Sequence, residues 1–195
     1  THDAWAQRDQ IERASAEAIA SLMRSANVRL RFIAQVSATE QDDDRLAVER
    51  LRKLLPDDLQ ERVEVAEPAV SLEEAVAQYA SCDVLLASRL HASLLAMATG
   101  VPSLVVGYEP KVVGVLSGLG LASRIVDARD PGAPEALANR LLSLMSPAER
   151  ERTLAAANTA DAGFEPLDRE LRTKLTRPVA RSDRSGAVPK GDPSG

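Results

Sequence analysis

The sequence predicts an α/β fold: a Rossmann-like domain with a mainly parallel sheet and helices on both of its faces. Short apolar segments alternate with segments of helical periodicity along most of the chain, and the connections between them are short. Two of the apolar segments, residues 83–88 and 103–108, are apolar almost throughout, which is typical of strands buried on both faces of a parallel sheet.

The first half of the chain is predicted to alternate between helix and strand. Asp42, Asp43 and Asp44 suit the start of a helix, where carboxylates complement the dipole. Ser71 and Glu74 form a capping box at the start of another helix. In order, the predicted elements are a helix over 4–25, a strand over 28–37, a helix over 42–56, a strand over 62–67 and a helix over 71–81.

The second half continues this alternation and ends in helices. Gly100 and Pro102 follow one predicted helix and end it, while Ser146 and Pro147 begin another. In order, we predict a strand over 83–88, a helix to residue 99, a strand over 103–108, a helix over 112–119, a strand over 124–127, a helix over 134–145, a helix from residue 147 and a last helix through 167–175.

A single domain is predicted over residues 1–176, followed by a disordered tail over 177–195 that is rich in Pro, Gly and Ser. The chain opens on a helix, whereas a doubly wound half usually opens on the strand at the centre of its sheet. We therefore expect this domain to lack its first strand and the chain to be part of something longer.

The composition narrows the class of protein. Of the 195 residues, 45% are hydrophobic and 27% are charged, which is typical of a globular domain. The net charge of −5 disfavours a nucleic-acid partner, since phosphates repel an acidic surface. Cys82 is the only cysteine, so no intrachain disulfide is possible. No apolar segment approaches the roughly 20 residues that span a bilayer, and we expect a soluble, intracellular protein.

Polar residues interrupt an apolar stretch where the strand over 83–88 ends. Ser88 is predicted as the N-cap of the next helix, with Arg89 as its first residue and His91 as its third. Open α/β sheets bind ligands at this edge, and a helix N-terminus attracts anions. Arginine suits a carboxylate or phosphate, and histidine can donate a proton near neutral pH. The alternative is that Arg89 pairs with a structural carboxylate and His91 caps a neighbouring loop.

A second polar segment follows the strand over 103–108 and is predicted at the same edge. Tyr108, Glu109 and Lys111 should lie beside Arg89 and His91, with Pro110 at the start of the next helix. A cation there opposes the helix dipole, so Lys111 does not serve helix stability. Glu109 is more simply explained as an N-terminal helix charge.

Metal binding is not predicted. Helix capping explains Asp42, Asp43 and Asp44 more simply than a metal site does. Cys82 is interpreted as a small core residue.

Residues 88–121, SRLHASLLAMATGVPSLVVGYEPKVVGVLSGLGL, closely resemble the C-terminal signature of the polysaccharide pyruvyl transferase family. That family shows an Arg-x-His turn, an apolar helix, Gly-Val-Pro, a strand and then Tyr-x-Pro-Lys. The resemblance extends more weakly over residues 28–127. It implies a glycosyltransferase-B-like fold of two Rossmann-type halves. It also implies transfer of a pyruvyl group from phosphoenolpyruvate, as a ketal, to a sugar of a cell-surface glycan or its precursor.

The resemblance also implies a donor site. It gives Arg89, Leu90 and His91 as contacts of phosphoenolpyruvate, Leu90 chiefly through its backbone. Our hypothesis is that His91 is the general acid and that Arg89 and Lys111 hold the anionic groups, with Ser88 and Tyr108 also in the donor site. No metal or other cofactor is expected, and the location implied is the cytoplasm, at the inner face of the membrane through the acceptor.

Family members are about twice as long as this chain, as expected for two domains of ordinary size. The chain would then be the donor-binding half, inactive when isolated.

Two other functions stay open. A nucleotide-sugar glycosyltransferase or epimerase of the same architecture generally places a Gly-rich turn and a helix glutamate against the nucleotide, whereas residues 94–99 contain no carboxylate. A non-catalytic remnant domain is the other alternative. The missing first strand favours it, and the presence of Arg89, His91 and Lys111 argues against it.

Overall fold

The computed structural model describes residues 2–39, 42–107, 110–127, 132 and 134–161. The helices are α1 (His2–Ser25), α2 (Asp44–Leu54), α3 (Leu72–Ala80), α4 (Leu90–Ala98), α5 (Pro110–Gly118), α6 (Pro134–Leu144) and α7 (Pro147–Asp161). The strands are β1 (Leu30–Phe32), β2 (Ser37–Thr39), β3 (Asp42–Asp43), β4 (Val63–Val65), β5 (Leu85–Ala87), β6 (Ser103–Val106) and β7 (Ile125–Val126). Short 3₁₀ turns cover Asp57–Arg62 and Ala122–Arg124.

Most strand pairs among the described residues are parallel. Strands β5, β6 and β7 form one parallel sheet in that order, with Ala87 opposite Val105. Strands β1 and β4 form a second parallel pair, with Leu30 opposite Val63. The prediction of an α/β fold with mainly parallel strands is therefore confirmed.

Strands β2 and β3 form a small antiparallel hairpin that the sequence did not predict. The predicted helix over 42–56 accordingly begins two residues later, at Asp44, because Asp42 and Asp43 pair with β2 instead.

Helices cover both faces of the three-stranded sheet, as predicted. All four residues of β6 are buried, and successive side chains of a strand point to opposite faces. Val105 belongs to an apolar cluster with Met97 of α4 and Leu116 of α5. Leu104 belongs to a second cluster, with Leu137 of α6 and residues of α1. The sheet therefore lies between two helical layers.

Helix α1 packs against both parallel ladders. One of its faces joins the cluster of Leu104 and Leu137, and another face packs with β1 and α2 around Phe32. The end of α1 is held by Arg62, whose guanidinium donates hydrogen bonds to the carbonyl oxygens of Met23 at 2.7 Å and Ala26 at 3.0 Å. These contacts satisfy backbone acceptors that a helix C-terminus leaves open.

The predicted helix ends are confirmed in several places. The Ser71 hydroxyl accepts a hydrogen bond from the Glu74 backbone N–H at 3.1 Å, as in a capping box. The Glu74 carboxylate reaches back to the N–H of Val70, one residue earlier than the usual partner. Gly100 adopts a positive φ of 76° after α4, a conformation that favours glycine.

Some predictions fall on residues outside the described part of the chain. These are the last helix through 167–175 and the tail over 177–195. Within the described residues, no helix is both long and apolar enough to cross a membrane.

Candidate functional site

The turn between β5 and α4 carries three of the predicted site residues. The backbone of Arg89 is extended, with φ −117° and ψ 134°, and its carbonyl oxygen accepts the Ser93 N–H at 3.3 Å. Arg89 is therefore the N-cap of α4, and His91 is its second residue. The prediction that Ser88 is the N-cap and His91 the third helical residue was wrong by one position, because the backbone of Arg89 is still extended and the helix begins only at Leu90.

The residues of this turn differ in how far their side chains are exposed. Ser88 and His91 are exposed, while the side chain of Leu90 is buried in the apolar cluster beneath the sheet. Only the backbone of Leu90 is then open to a ligand. A small molecule at the start of α4 would meet the Ser88 hydroxyl, the His91 imidazole and free backbone N–H groups of the first helical turn.

Arg89 is held by a carboxylate from another part of the chain. Its Nε lies 3.0 Å from Oδ1 of Asp44, and its Nη2 lies 2.9 Å from the same oxygen. The side chains of Arg89 and Asp44 are 33% and 22% exposed, so the pair is only partly screened by solvent. The alternative interpretation of Arg89, pairing with a structural carboxylate, therefore describes the structure. The pairing also fixes the orientation of the guanidinium at the carboxyl edge of the sheet.

Asp44 also accepts two hydrogen bonds from backbone N–H groups. Its Oδ2 accepts the N–H groups of Gln35 and Val36, both at 3.0 Å, in the segment that leaves β1. Burial by itself raises the pKa of Asp44, but the hydrogen bonds from Arg89, Val36 and Gln35 outweigh it and hold the pKa below its ordinary value. Asp44 is therefore charged at neutral pH. Its carboxylate links the segment after β1 to the segment after β5.

The predicted placement of aspartates at the start of a helix is confirmed for two of them. Asp43 is the N-cap of α2, and its carboxylate accepts the Arg45 N–H at 2.9 Å. Asp44 lies in the first turn of the same helix and also pairs with Arg89. Among the residues that the structure describes, no group of three or more His, Cys, Asp or Glu side chains is placed to hold a metal ion.

Lys111 lies at the same edge of the sheet. Strand β6 is the neighbour of β5 and runs parallel to it, so the segments after both strands leave from one side. Lys111 is the second residue of α5 and is exposed. The N-termini of α4 and α5 both face this side, which adds positive potential. Tyr108 and Glu109, which were predicted to join the site, lie outside the described residues.

The sequence did not predict that the segment after β1 contributes to this site. The segment after β1, residues 33–36, contributes Gln35 beside Asp44, and no local motif marks either residue as part of a site. Cys82 is half-buried, and burial raises the pKa of its thiol, as expected for an unreactive cysteine packed against the core.

The comparisons with known proteins give one match. The family model described as polysaccharide pyruvyl transferase matches residues 1–110, which is 110 of the 195 residues. The matched range contains Ser88, Arg89, Leu90, His91 and Asp44, and it ends one residue before Lys111. No curated protein and no solved structure matches the chain.

Proposed function

Since this chain belongs to the polysaccharide pyruvyl transferase family, we propose that it binds phosphoenolpyruvate at the β5–α4 turn and contributes groups for transfer of the pyruvyl group to a sugar. The observation that carries the proposal is the position of the Arg89-Leu90-His91 triplet. It lies inside the matched range, at the carboxyl end of a parallel strand and at a helix N-terminus.

The chemistry of the donor suits the groups at this edge. Phosphoenolpyruvate carries a carboxylate and a phosphate, and both are recognised by guanidinium groups, ammonium groups and helix N-termini. We assign Arg89 and Lys111 to these anionic groups, together with the Ser88 hydroxyl and the backbone of Leu90. Tyr108 completes the proposed donor site. Asp44 is a positioning residue in this proposal, since it contacts Arg89 and orients it.

Ketal formation needs one proton delivered and two hydroxyl protons removed. His91 donates a proton to the methylene carbon of the donor, which becomes the methyl group and leaves an oxocarbenium-like carbon. A sugar hydroxyl attacks that carbon, and its proton returns to His91. The carbon–oxygen bond to phosphate then breaks, a second sugar hydroxyl closes the ketal, and its proton leaves with the phosphate. Arg89 and Lys111 stabilise the charge on the departing phosphate.

Ligand-dependent thermal stability tests the donor site directly. Phosphoenolpyruvate should raise the Tm of the chain in a saturable way, because a ligand that binds only the folded state stabilises it. Arg89→Met should abolish that increase. Arg29→Met is the matched control, since Arg29 is exposed on the chain segment before β1, and it should leave the increase intact.

Two outcomes would contradict the proposal. One is an equal increase in Tm for the Arg89→Met variant and the unmodified chain. The other is stabilisation by a nucleotide sugar and none by phosphoenolpyruvate, which would favour a nucleotide-sugar enzyme. The role of His91 is tested by phosphate release from phosphoenolpyruvate with a glycan acceptor, which His91→Ala should stop while donor binding persists.

A further inference from the structure

Two parallel sheets lie side by side in this domain, and no strand pairing joins them within the part of the chain that the structure describes. Leu86 of β5 packs against the apolar cluster around Phe32 of β1, and Ile33, just after β1, packs against the cluster that contains Ala87 of β5. The carboxylate link described above joins the segments after β1 and β5, so both strands end at the same edge. Strands β1 and β5 are therefore parallel neighbours that lie further apart than the roughly 4.8 Å of paired strands.

Backbone groups of both strands are directed into the space between them. In a parallel pair, alternate residues direct their N–H and C=O groups to the same side of the strand. The carbonyl oxygen of Phe32 accepts an N–H from the residue after β4 at 2.8 Å, so the backbone groups of Arg31 are directed away from β4. The Leu85 N–H donates to the residue before β6 at 2.9 Å, so the backbone groups of Leu86 are directed away from β6. We call the space between Arg31 and Leu86 the central gap.

Side chains on both sides of the central gap are incompletely covered. Two of the three residues of β1 are only half-buried, and so are two of the three residues of β5, although β5 is entirely apolar. The next strand of the same sheet, β6, is buried at every position. A strand with an unpaired edge and exposed apolar side chains is a place where an extended segment can pair.

The arrangement of strands and helices leaves one strand position between β1 and β5. In a doubly wound sheet of strand order 3-2-1-4-5-6, the first strand lies between the second and the fourth, where the helices change faces. The described strands follow this order as β4-β1 and then β5-β6-β7. Helices α1 and α2 pack around β1 on one face, whereas α4 and α5 share a cluster on the other face. The central gap is thus the position of the first strand.

We propose that the central gap binds an extended apolar segment as a parallel strand, and that this segment is the polypeptide leading into α1. Its backbone hydrogen-bonds to Arg31 on one side and to Leu86 on the other. The strand lies between α1 and α4, so the side chains on both of its faces are apolar. A strand in this position, followed by α1 and then β1, makes the usual connection between neighbouring parallel strands. It joins the two sheets into one and supports the Asp44–Arg89 pair at their carboxyl edge.

Hydrogen exchange of the full chain, followed by nuclear magnetic resonance, tests the gap. The probe is a peptide with a Val-Ile-Val-Val-Ile core and two lysines at each end for solubility. At saturation the amide hydrogens of Arg31 and Leu86 should exchange at least about tenfold more slowly, because they become hydrogen-bonded and buried. The amide of Val65 is on the outer edge of β4 and should be unaffected. The matched control is the same peptide with N-methyl groups throughout its core, which keeps the side chains but cannot donate.

A covalent version of the probe tests where the strand comes from. The same core, joined ahead of residue 1 by a short Gly-Ser linker, should raise the Tm of the chain, because linkage raises the effective concentration of the strand. A fusion with proline at two core positions is the control, since proline lacks the N–H that a central strand donates.

Several results would overturn the inference. One is that Arg31 and Leu86 are already as protected as Phe32 and Leu85 without the peptide, which would mean that β1 and β5 pair directly. Others are unchanged exchange at saturation, equal protection by the N-methylated peptide, or protection at Val65 instead. Protection that rises with the concentration of the chain alone would mean that a second copy fills the gap. A fusion no more stable than its proline control would contradict the assignment to the segment before α1.

Discussion

The carboxylate of Asp44 holds the guanidinium of Arg89 across 45 residues of sequence, with Nε–Oδ1 and Nη2–Oδ1 distances of 3.0 and 2.9 Å. The same carboxylate accepts two backbone N–H groups from the segment after β1. The side chain of Asp44 thus connects the segments that follow β1 and β5, and these two strands belong to different parallel sheets. The position of Arg89 depends on this connection, and its energetic contribution can be measured.

Replacing Asp44 with asparagine should destabilise the protein. The asparagine side chain keeps one oxygen that can accept a hydrogen bond but lacks the charge that binds Arg89. Because both side chains of the native pair are partly exposed, we expect a loss of about 1–2 kcal/mol in the free energy of unfolding. Urea denaturation of the two proteins at neutral pH measures the difference.

Asp58→Asn is the matched control for Asp44→Asn. Its carboxylate lies 3.4 Å from Arg24, and both side chains are more than half exposed. Such a pair contributes less than about 0.5 kcal/mol. Equal losses for the two variants would contradict the connecting role of Asp44.

The contribution of Asp44 should disappear in acid. Its pKa in the folded protein lies below the ordinary value of 3.8, so the unfolded chain takes up the proton first as pH falls. The difference in unfolding free energy between the unmodified protein and Asp44→Asn should therefore be complete above about pH 5. It should shrink as the pH falls through 3.8 towards the lower folded pKa.

Denaturant titrations of both proteins at several pH values between neutral and acid give this difference directly. The pKa of Asp43 is also lowered, but Asp43 is present in both proteins and its contribution cancels. A difference that stays constant down to the lowest pH, or that grows, would show that Asp44 does not titrate as its contacts require.

The elements of the fold that the sequence predicts best are those with continuous burial and clear ends. The strand Ser103–Val106 is buried at every position, and the helix before it ends at Ala98, just ahead of Gly100, so the apolar pattern and the predicted helix end agree with the structure. The hairpin of Ser37–Thr39 and Asp42–Asp43 was missed, because residues 37–43 are polar apart from Ala38 and show no apolar pattern of a strand. Its pairing depends on contacts across the hairpin rather than on a local signal.

The site was predictable only in part. Arg89 and His91 stood out because they interrupt an apolar segment at a strand end, and the structure places both at that edge. The partner of Arg89 could not be predicted, because Asp43 and Asp44 look identical in sequence, although one caps a helix and the other binds Arg89. An ion pair between residues far apart in the chain produces no recurring pattern in the sequence. The hydrogen bonds from the backbone N–H groups of Gln35 and Val36 to Asp44 could not be predicted for the same reason.

Two buried serines should behave as a coupled pair. The hydroxyls of Ser93 in α4 and Ser103 in β6 lie 2.5 Å apart, and the residues are 0% and 1% exposed. Replacing either serine with alanine leaves the hydroxyl of the other without a hydrogen-bond partner. This should lower the free energy of unfolding by about 1–3 kcal/mol. The double variant removes both hydroxyls, so its loss should be smaller than the sum of the two single losses.

Urea denaturation of the four proteins completes this cycle. Ser143→Ala, at an exposed position of α6, should change the free energy of unfolding by less than about 0.5 kcal/mol. Losses that simply add in the double variant would mean that the two hydroxyls do not stabilise each other.

Gly100 should resist substitution for two separable reasons. Its φ of 76° is unfavourable for a residue with a side chain, and a Cβ there would lie 2.7 Å from Cδ2 of Leu154 in α7. Gly120 has a similar φ of 70° but nothing within 4 Å of its Cβ position. Gly120→Ala should therefore cost about 1 kcal/mol, from backbone conformation alone, and Gly100→Ala about 1–2 kcal/mol, because the exposed side chain of Leu154 must move to admit the methyl group.

The excess cost of Gly100→Ala should depend on Leu154. In a Leu154→Ala background the three atoms nearest to the added methyl group are absent, so Gly100→Ala should cost about as much there as Gly120→Ala does in the unmodified protein, about 1 kcal/mol. Thermal or urea denaturation of the single and double variants provides the values. Equal costs for the two glycines in the unmodified protein, or a cost at Gly100 that ignores Leu154, would contradict the close packing of α7 against the end of α4.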